Sequence, residues 1–181
     1  MKPIIFIISG KAKAGKDTTA SYIKDYAYKK DLKTINIQFS SYIKIYAKEI
    51  TNWDGDEENK PRVLLQELGE NIRNNIDKHF FINRICEDII VYSDYFDIIT
   101  ISDARLPEEL DNIKMNFTNT IKLHIVRPNF NPYKSDLEKN HPTELALDNY
   151  QDFDYTIKND STLEDLRIKI ENILNEIKKD E

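Results

Sequence analysis

Gly10-Lys11-Ala12-Lys13-Ala14-Gly15-Lys16 has the spacing G-x-x-x-x-G-K, in a chain that holds only four glycines. Glycines at those two places let the backbone turn tightly and present its N–H groups to anionic oxygens. A lysine directly after the second can carry its ammonium to the outer phosphates of a nucleoside triphosphate. The surroundings suit this chemistry: the apolar run Ile4 to Ile8 precedes the loop, and a helix starting at Lys16 would add the positive end of its dipole. Position 17 departs from the strict motif, which has Ser or Thr there to hold magnesium; this chain has Asp17. Asp17 can serve as a hard oxygen ligand, directly or through water, or can favour the helix dipole in the first turn. Alternatively, Thr18 and Thr19 take over a phosphate contact.

Three further groups of residues could complete such a site. Asp97 to Arg105 reads as a buried parallel strand ending in Asp103-Ala104-Arg105, and ligands of parallel sheets gather at the carboxyl ends of the strands. Asp103 can orient magnesium or accept a proton from a nucleophile, and Arg105 can offset charge on a transferring phosphoryl group. On a helix opened by Pro61, the residues Leu64, Leu65, Leu68, Ile72 and Ile76 recur at helical spacing as a core face. Arg62, Gln66, Gly69 and Arg73 share a different face. A mid-helix glycine costs about 1 kcal/mol against alanine, so something lies close to the backbone at Gly69; the two arginines suit a phosphate and the amide a base edge. Arg127 then opens a loop to Pro142 that also carries Lys134, Lys139 and His141, long enough to close over phosphates. His141 is read as structural, and Asp54, Asp56, Glu57 and Glu58, which lack calcium-loop spacing, as a solvated acidic loop.

The elements that must hold these residues follow from hydrophobic patterning. Apolar, β-branched or aromatic runs recur at Pro3–Ile8, Thr34–Phe39, Asp97–Ile101, Thr120–Val126 and Phe153–Ile157, separated by helix-compatible segments. That alternation predicts an α/β protein with a five-stranded parallel sheet. A last helix is read from a capping box at Ser161 and Glu164 and from a stripe of Leu163, Leu166, Ile170, Ile173, Leu174 and Ile177. The 181 residues suit one domain, 1–181.

Composition narrows the classes of function. With 26 basic and 32 acidic residues the formal charge is −6, which argues against binding polymeric nucleic acid but leaves room for a local basic pocket. No apolar run is long enough for a membrane span and the start lacks a secretory pattern, so the expected setting is cytoplasmic. The single Cys86 and three scattered histidines give neither a disulfide nor a zinc site.

ISGKAKAGKDTTA, then RVLLQELGENIR, SDARLPEE, VRP and HPTELALD resemble, in order and spacing, the bacteriophage-type deoxynucleoside monophosphate kinases within the P-loop nucleoside monophosphate kinases. The likeness runs over most of the chain. It implies a three-layer α/β/α P-loop kinase fold and transfer of the ATP γ-phosphoryl group to a deoxynucleoside 5′-monophosphate. It also implies magnesium as cofactor, small nucleotides as partners and commonly a homodimer. It assigns Gly10 through Thr18 to the donor phosphates, Arg73 and Arg105 to the acceptor or transferring phosphate, and Arg127 to a lid as its cation; Lys16 and magnesium then hold the donor while Arg73, Arg105 and Arg127 neutralise the transition state. The acceptor region then covers about 41–93 and the lid about 127–145. Two rival readings stand beside it: a P-loop kinase for another small acceptor such as dephospho-coenzyme A or phosphomevalonate, and a nucleotide-binding regulatory module without turnover.

Overall fold

Strands buried on both faces need apolar side chains at every position, whereas half-exposed ones alternate. In a computed structural model of the chain, which describes residues 2–56, 58–133 and 136–177, the five apolar runs become strands of one parallel sheet. They are β1 (Ile4–Ser9), β2 (Thr34–Ile37), β3 (Ile98–Ala104), β4 (Thr120–Val126) and β5 (Tyr155–Lys158), in the order β2-β3-β1-β4-β5. β1 lies in the middle, with Ile5 paired to Ile99 on one side and to Thr120 on the other. Lys134 and Glu57, named above, lie outside the described residues.

Alternate β1 side chains go to opposite faces. Phe6 and Ile8 pack with Ile23 of α1 (Lys16–Tyr28) and with Leu166, Ile170 and Leu174 of α8 (Leu163–Ile177). Ile5 and Ile7 pack on the other face with Ile85 and Ile89 of α4 (Phe80–Tyr92) and with Leu110 and Ile113 of α5 (Pro107–Asn116). The expected three layers are therefore present. Adjacent strands β1 and β3 lead to helices on opposite faces, α1 and α5, and this divergence opens a crevice at their carboxyl ends. No helix among the described residues is long and apolar enough to cross a membrane.

Three local readings are corrected. The box opening α8 lies one residue later than expected: the Asp165 N–H donates to Thr162 Oγ1 at 3.1 Å, and the Thr162 N–H donates to Asp165 Oδ2 at 3.1 Å. Leu163, counted in the apolar stripe, is exposed because it lies in the first turn, ahead of the buried Leu166. The apolar face of α3 (Arg62–Asn75) is only half-buried and Ile76 is exposed; Gly69 is the one position of that helix that is fully buried. The reason is that α3 packs chiefly on α2 (Ser40–Thr51), with Ile72 reaching the core on that face of the sheet.

Candidate active site

The loop between β1 and α1 needs both of its glycines. Gly10 has φ 145° and Gly15 φ 113°, and a Cβ at Gly10 would lie 2.4 Å from the main-chain oxygen of Ile125 in neighbouring β4. Lys13 adds a left-handed residue at φ 55°. The turn is tied from outside by Asn159, whose amide donates to the Ala14 carbonyl at 2.8 Å.

Lys16 opens α1 from inside this bend. Its ammonium donates to the carbonyls of Gly10 (2.7 Å) and Lys11 (3.0 Å), and the side chain is 8% exposed. Burial, reinforced by the charge of Arg105, pulls its pKa down to about 8, while Asp17 and Asp103 oppose the shift. The ammonium form therefore persists at neutral pH. Thr19, expected to touch phosphate, is corrected: it is fully buried and donates to the Gly15 carbonyl at 2.9 Å, so it braces the loop from beneath. Asp17 is exposed and held in place by the Ser102 hydroxyl (2.9 Å) and the Gln38 amide (3.3 Å).

Asp103 differs from the expectation of a metal ligand or base. Its two oxygens accept the N–H groups of Phe39 (2.9 Å) and Ser40 (3.0 Å), so the carboxylate caps the start of α2 and fixes that helix to the sheet. Among the described residues no three His, Cys, Asp or Glu side chains gather to hold a metal without a substrate.

Arg105 does converge on the phosphate loop. Its guanidinium pairs with Glu144 on α7 (Pro142–Leu145), and the same carboxylate accepts the Ala12 N–H of the phosphate loop at 3.0 Å and the Tyr133 hydroxyl at 2.5 Å. Arg127 reaches the loop from the end of β4, donating to the Lys13 carbonyl at 3.5 Å and stacking on the Phe130 ring at 4.0 Å. On α3, Arg62 and Gln66 are exposed. Arg73 is half-buried, 5.6 Å from the Phe81 ring centroid, and lies over Gly69, where an added Cβ would also meet Ile43 of α2 at 3.2 Å. What approaches the Gly69 backbone is thus partly the neighbouring helix. His141 starts α7 and takes a structural part, with Thr143 Oγ1 2.8 Å from its Nδ1. Lys139, at the end of α6 (Asp136–Lys139), is exposed.

Sequence reasoning missed two carboxylates, Glu144 and Glu109. Glu109 is buried and accepts the N–H groups of Arg105 (2.7 Å) and Leu106 (3.1 Å), which holds the chain where it leaves β3. Its place two residues after Pro107 at the start of α5 was the available signal. Burial pushes its pKa up to about 7, with Asp103 adding to the rise, against the two N–H bonds and the charge of Arg73. The folded protein therefore keeps a proton that the unfolded chain releases near 4.5, so this group's contribution to stability falls as pH rises from about 4.5 to 7. A shift of this size corresponds to roughly 3 kcal/mol. In thermal denaturation Glu109→Gln should gain on the parent protein across that window; a constant gap would contradict the assignment.

A cavity of about 330 Å³ adjoins the loop, lined among others by Lys11, Ala12, His124, Arg127, Phe130 and Tyr150. That is within the range of small-molecule sites, and its walls mix aromatic rings with a few polar groups. His124 stacks on Phe153 at 4.3 Å, and its Nδ1 lies 2.9 Å from Ser9 Oγ; burial, followed by the charge of Lys16, lowers its pKa.

Comparison with known proteins bears on what this arrangement does. The profile of one protein family, described as deoxynucleotide monophosphate kinase, matches residues 26–170, so the matched stretch begins after the phosphate loop. No curated protein matches the sequence. Among solved structures, the APS kinase of Mycobacterium tuberculosis in complex with AMPPNP and APS is similar at a TM-score of 0.58 and 10% identity, over 96% of this chain and 98% of the other. An unliganded sugar kinase from Janibacter sp. is similar at a TM-score of 0.57 and 13% identity, over 96% of this chain and 95% of the other. At these identities the likeness is one of fold.

Proposed function

The chain belongs to the deoxynucleotide monophosphate kinase family, and on that premise we propose which of its residues transfer a phosphoryl group from ATP to a deoxynucleoside 5′-monophosphate. The observation that carries the reading is the convergence of Lys16, the bend made by Gly10 and Gly15, and Arg105 at the crevice between β1 and β3. The loop from Gly10 to Thr18 grips the donor's phosphates, with Lys16 on the outer ones. Arg127 and the aromatic cavity receive the donor's nucleoside, because that cavity shares Lys11 and Ala12 with the loop. Arg73 and Arg105 reach the acceptor from the opposite side, with Arg105 on the phosphoryl group being transferred. Residues 41–93 then form the acceptor region and 127–145 the lid, in a cytoplasmic enzyme.

An oxygen of the acceptor phosphate attacks the γ-phosphorus in line. A new P–O bond forms, the bond from the γ-phosphorus to the bridging oxygen breaks, and ADP leaves. A phosphate monoester is largely dianionic at pH 7, so the attacking oxygen needs no base. This agrees with an Asp103 engaged in holding α2 rather than presented to a nucleophile. The protein's work is to position the two phosphates and to neutralise charge as they approach.

Magnesium fits the donor set through Asp17, since this ion is usually held by one or two carboxylates together with substrate phosphates. Asp17 is exposed beside the loop and steadied by Ser102. When bound, the ion would offset the negative charge shared by the β- and γ-phosphoryl oxygens.

ADP release from ATP, measured with each deoxy- and ribonucleoside monophosphate in turn, tests the reading. The expected result is turnover with one or more deoxynucleoside monophosphates. Background rates with every one of them would overturn it.

A further inference from the structure

Glu144 joins the phosphate loop, the end of β3 and the loop after β4. Its side chain is 8% exposed while that of Arg105 is 35% exposed, so the anion is the buried member of the pair. The donors to it come from three separate segments: the Ala12 N–H, the Tyr133 hydroxyl and the Arg105 guanidinium. Such an arrangement satisfies a buried carboxylate well, and a surface ion pair would have no need of it.

We infer that Glu144 is a positioning residue that fixes the Arg105 guanidinium against the phosphate loop before substrates bind. The inference rests on the assignment of Arg105 to the transferring phosphate. An unpinned arginine samples many rotamers, and ordering it during the reaction would raise the barrier. The pair with Glu144 carries that ordering out in the free enzyme. A guanidinium has five N–H donors, so bonding to one carboxylate leaves others for a phosphate. The Ala12 bond sets the distance, because the carboxylate that holds Arg105 is itself anchored to the loop that holds the donor.

Glu144→Gln keeps the shape and the acceptor oxygen but removes the charge that holds the guanidinium. Misplacement of a catalytic group by about 1 Å can cost roughly a hundredfold in rate. The expected result is a fall in kcat of about 10- to 100-fold, with KM for ATP within about threefold of the parent and a similar melting temperature. In an Arg105→Ala background the same substitution should change kcat by less than about twofold, because the residue it acts through is gone. A merely structural role would give equal losses in both backgrounds. Equal losses, or a Glu144→Gln enzyme within about twofold of the parent, would overturn the inference. Should Glu144→Gln fail to fold, Glu144→Asp, whose carboxylate is one methylene shorter, must show the same dependence on Arg105. If Arg105→Ala alone leaves kcat unchanged, it is the assignment of Arg105 that fails.

Discussion

Lys16→Ala should lower kcat/KM for ATP by about a thousandfold or more and leave the fold standing. The rate effect follows from position: the ammonium lies within the bend, held by the Gly10 and Lys11 carbonyls, where the outer phosphates must come. Removing one group that stabilises transition-state charge in such a site typically costs a hundred- to a thousandfold. Loss of ground-state grip on the phosphates adds to that in kcat/KM. The stability effect is small because the folded protein disfavours the ammonium, as its pKa of about 8 records. Replacing a partly desolvated charge by a methyl group relieves that penalty even as two hydrogen bonds are lost. Steady-state kinetics and a thermal melt check both halves. A variant with near-normal rates would remove Lys16 from the centre of the site.

Gly10→Ala should be nearly as damaging to activity, and it should lower the melting temperature too. Its φ of 145° suits glycine, and the added Cβ would meet the Ile125 carbonyl oxygen at 2.4 Å. That neighbour is main chain of β4, a strand paired with β1 on one side and β5 on the other, so it cannot swing aside as the tip of a flexible side chain could. Backbone strain of this kind costs about 1–3 kcal/mol, and a steric clash adds to it. For a chain of this size the combined effect corresponds to a drop of roughly 10 °C in the melting temperature. The loop would have to move away from β4 to relieve the contact, and ATP affinity should fall with it, readable by calorimetric titration. An unchanged melting temperature together with unchanged affinity would contradict the account of the loop.

Much of the fold was legible because its signals are local. A central parallel strand such as β1 shows as an unbroken apolar run, and the phosphate loop is a motif of seven consecutive residues whose reading requires only a strand before it and a helix after it. The sheet order is not local. Nothing in the order of the runs says that β1 lies between β3 and β4, yet that placement is what sets Ile125 against Gly10 and brings Arg105 to the loop. The part Glu144 plays was hidden for the same reason: it lies 132 residues from its partner Ala12, and nothing in HPTELALD, where it falls, says what its carboxylate bonds. The box before α8 was misread by one residue because Ser161-x-x-Glu164 and Thr162-x-x-Asp165 both satisfy the pattern; only the backbone chooses between them. On α3 the apolar stripe was real, but periodicity names a face without naming what covers it, and α2 covers this one only in part.

Transfer of label tests the central claim most directly. With ATP labelled in its γ-phosphate, the intact enzyme and the deoxynucleoside monophosphate it accepts, the label should appear in the deoxynucleoside diphosphate, in step with ADP. Label that goes to inorganic phosphate, or that stays in ATP with every acceptor offered, would contradict it.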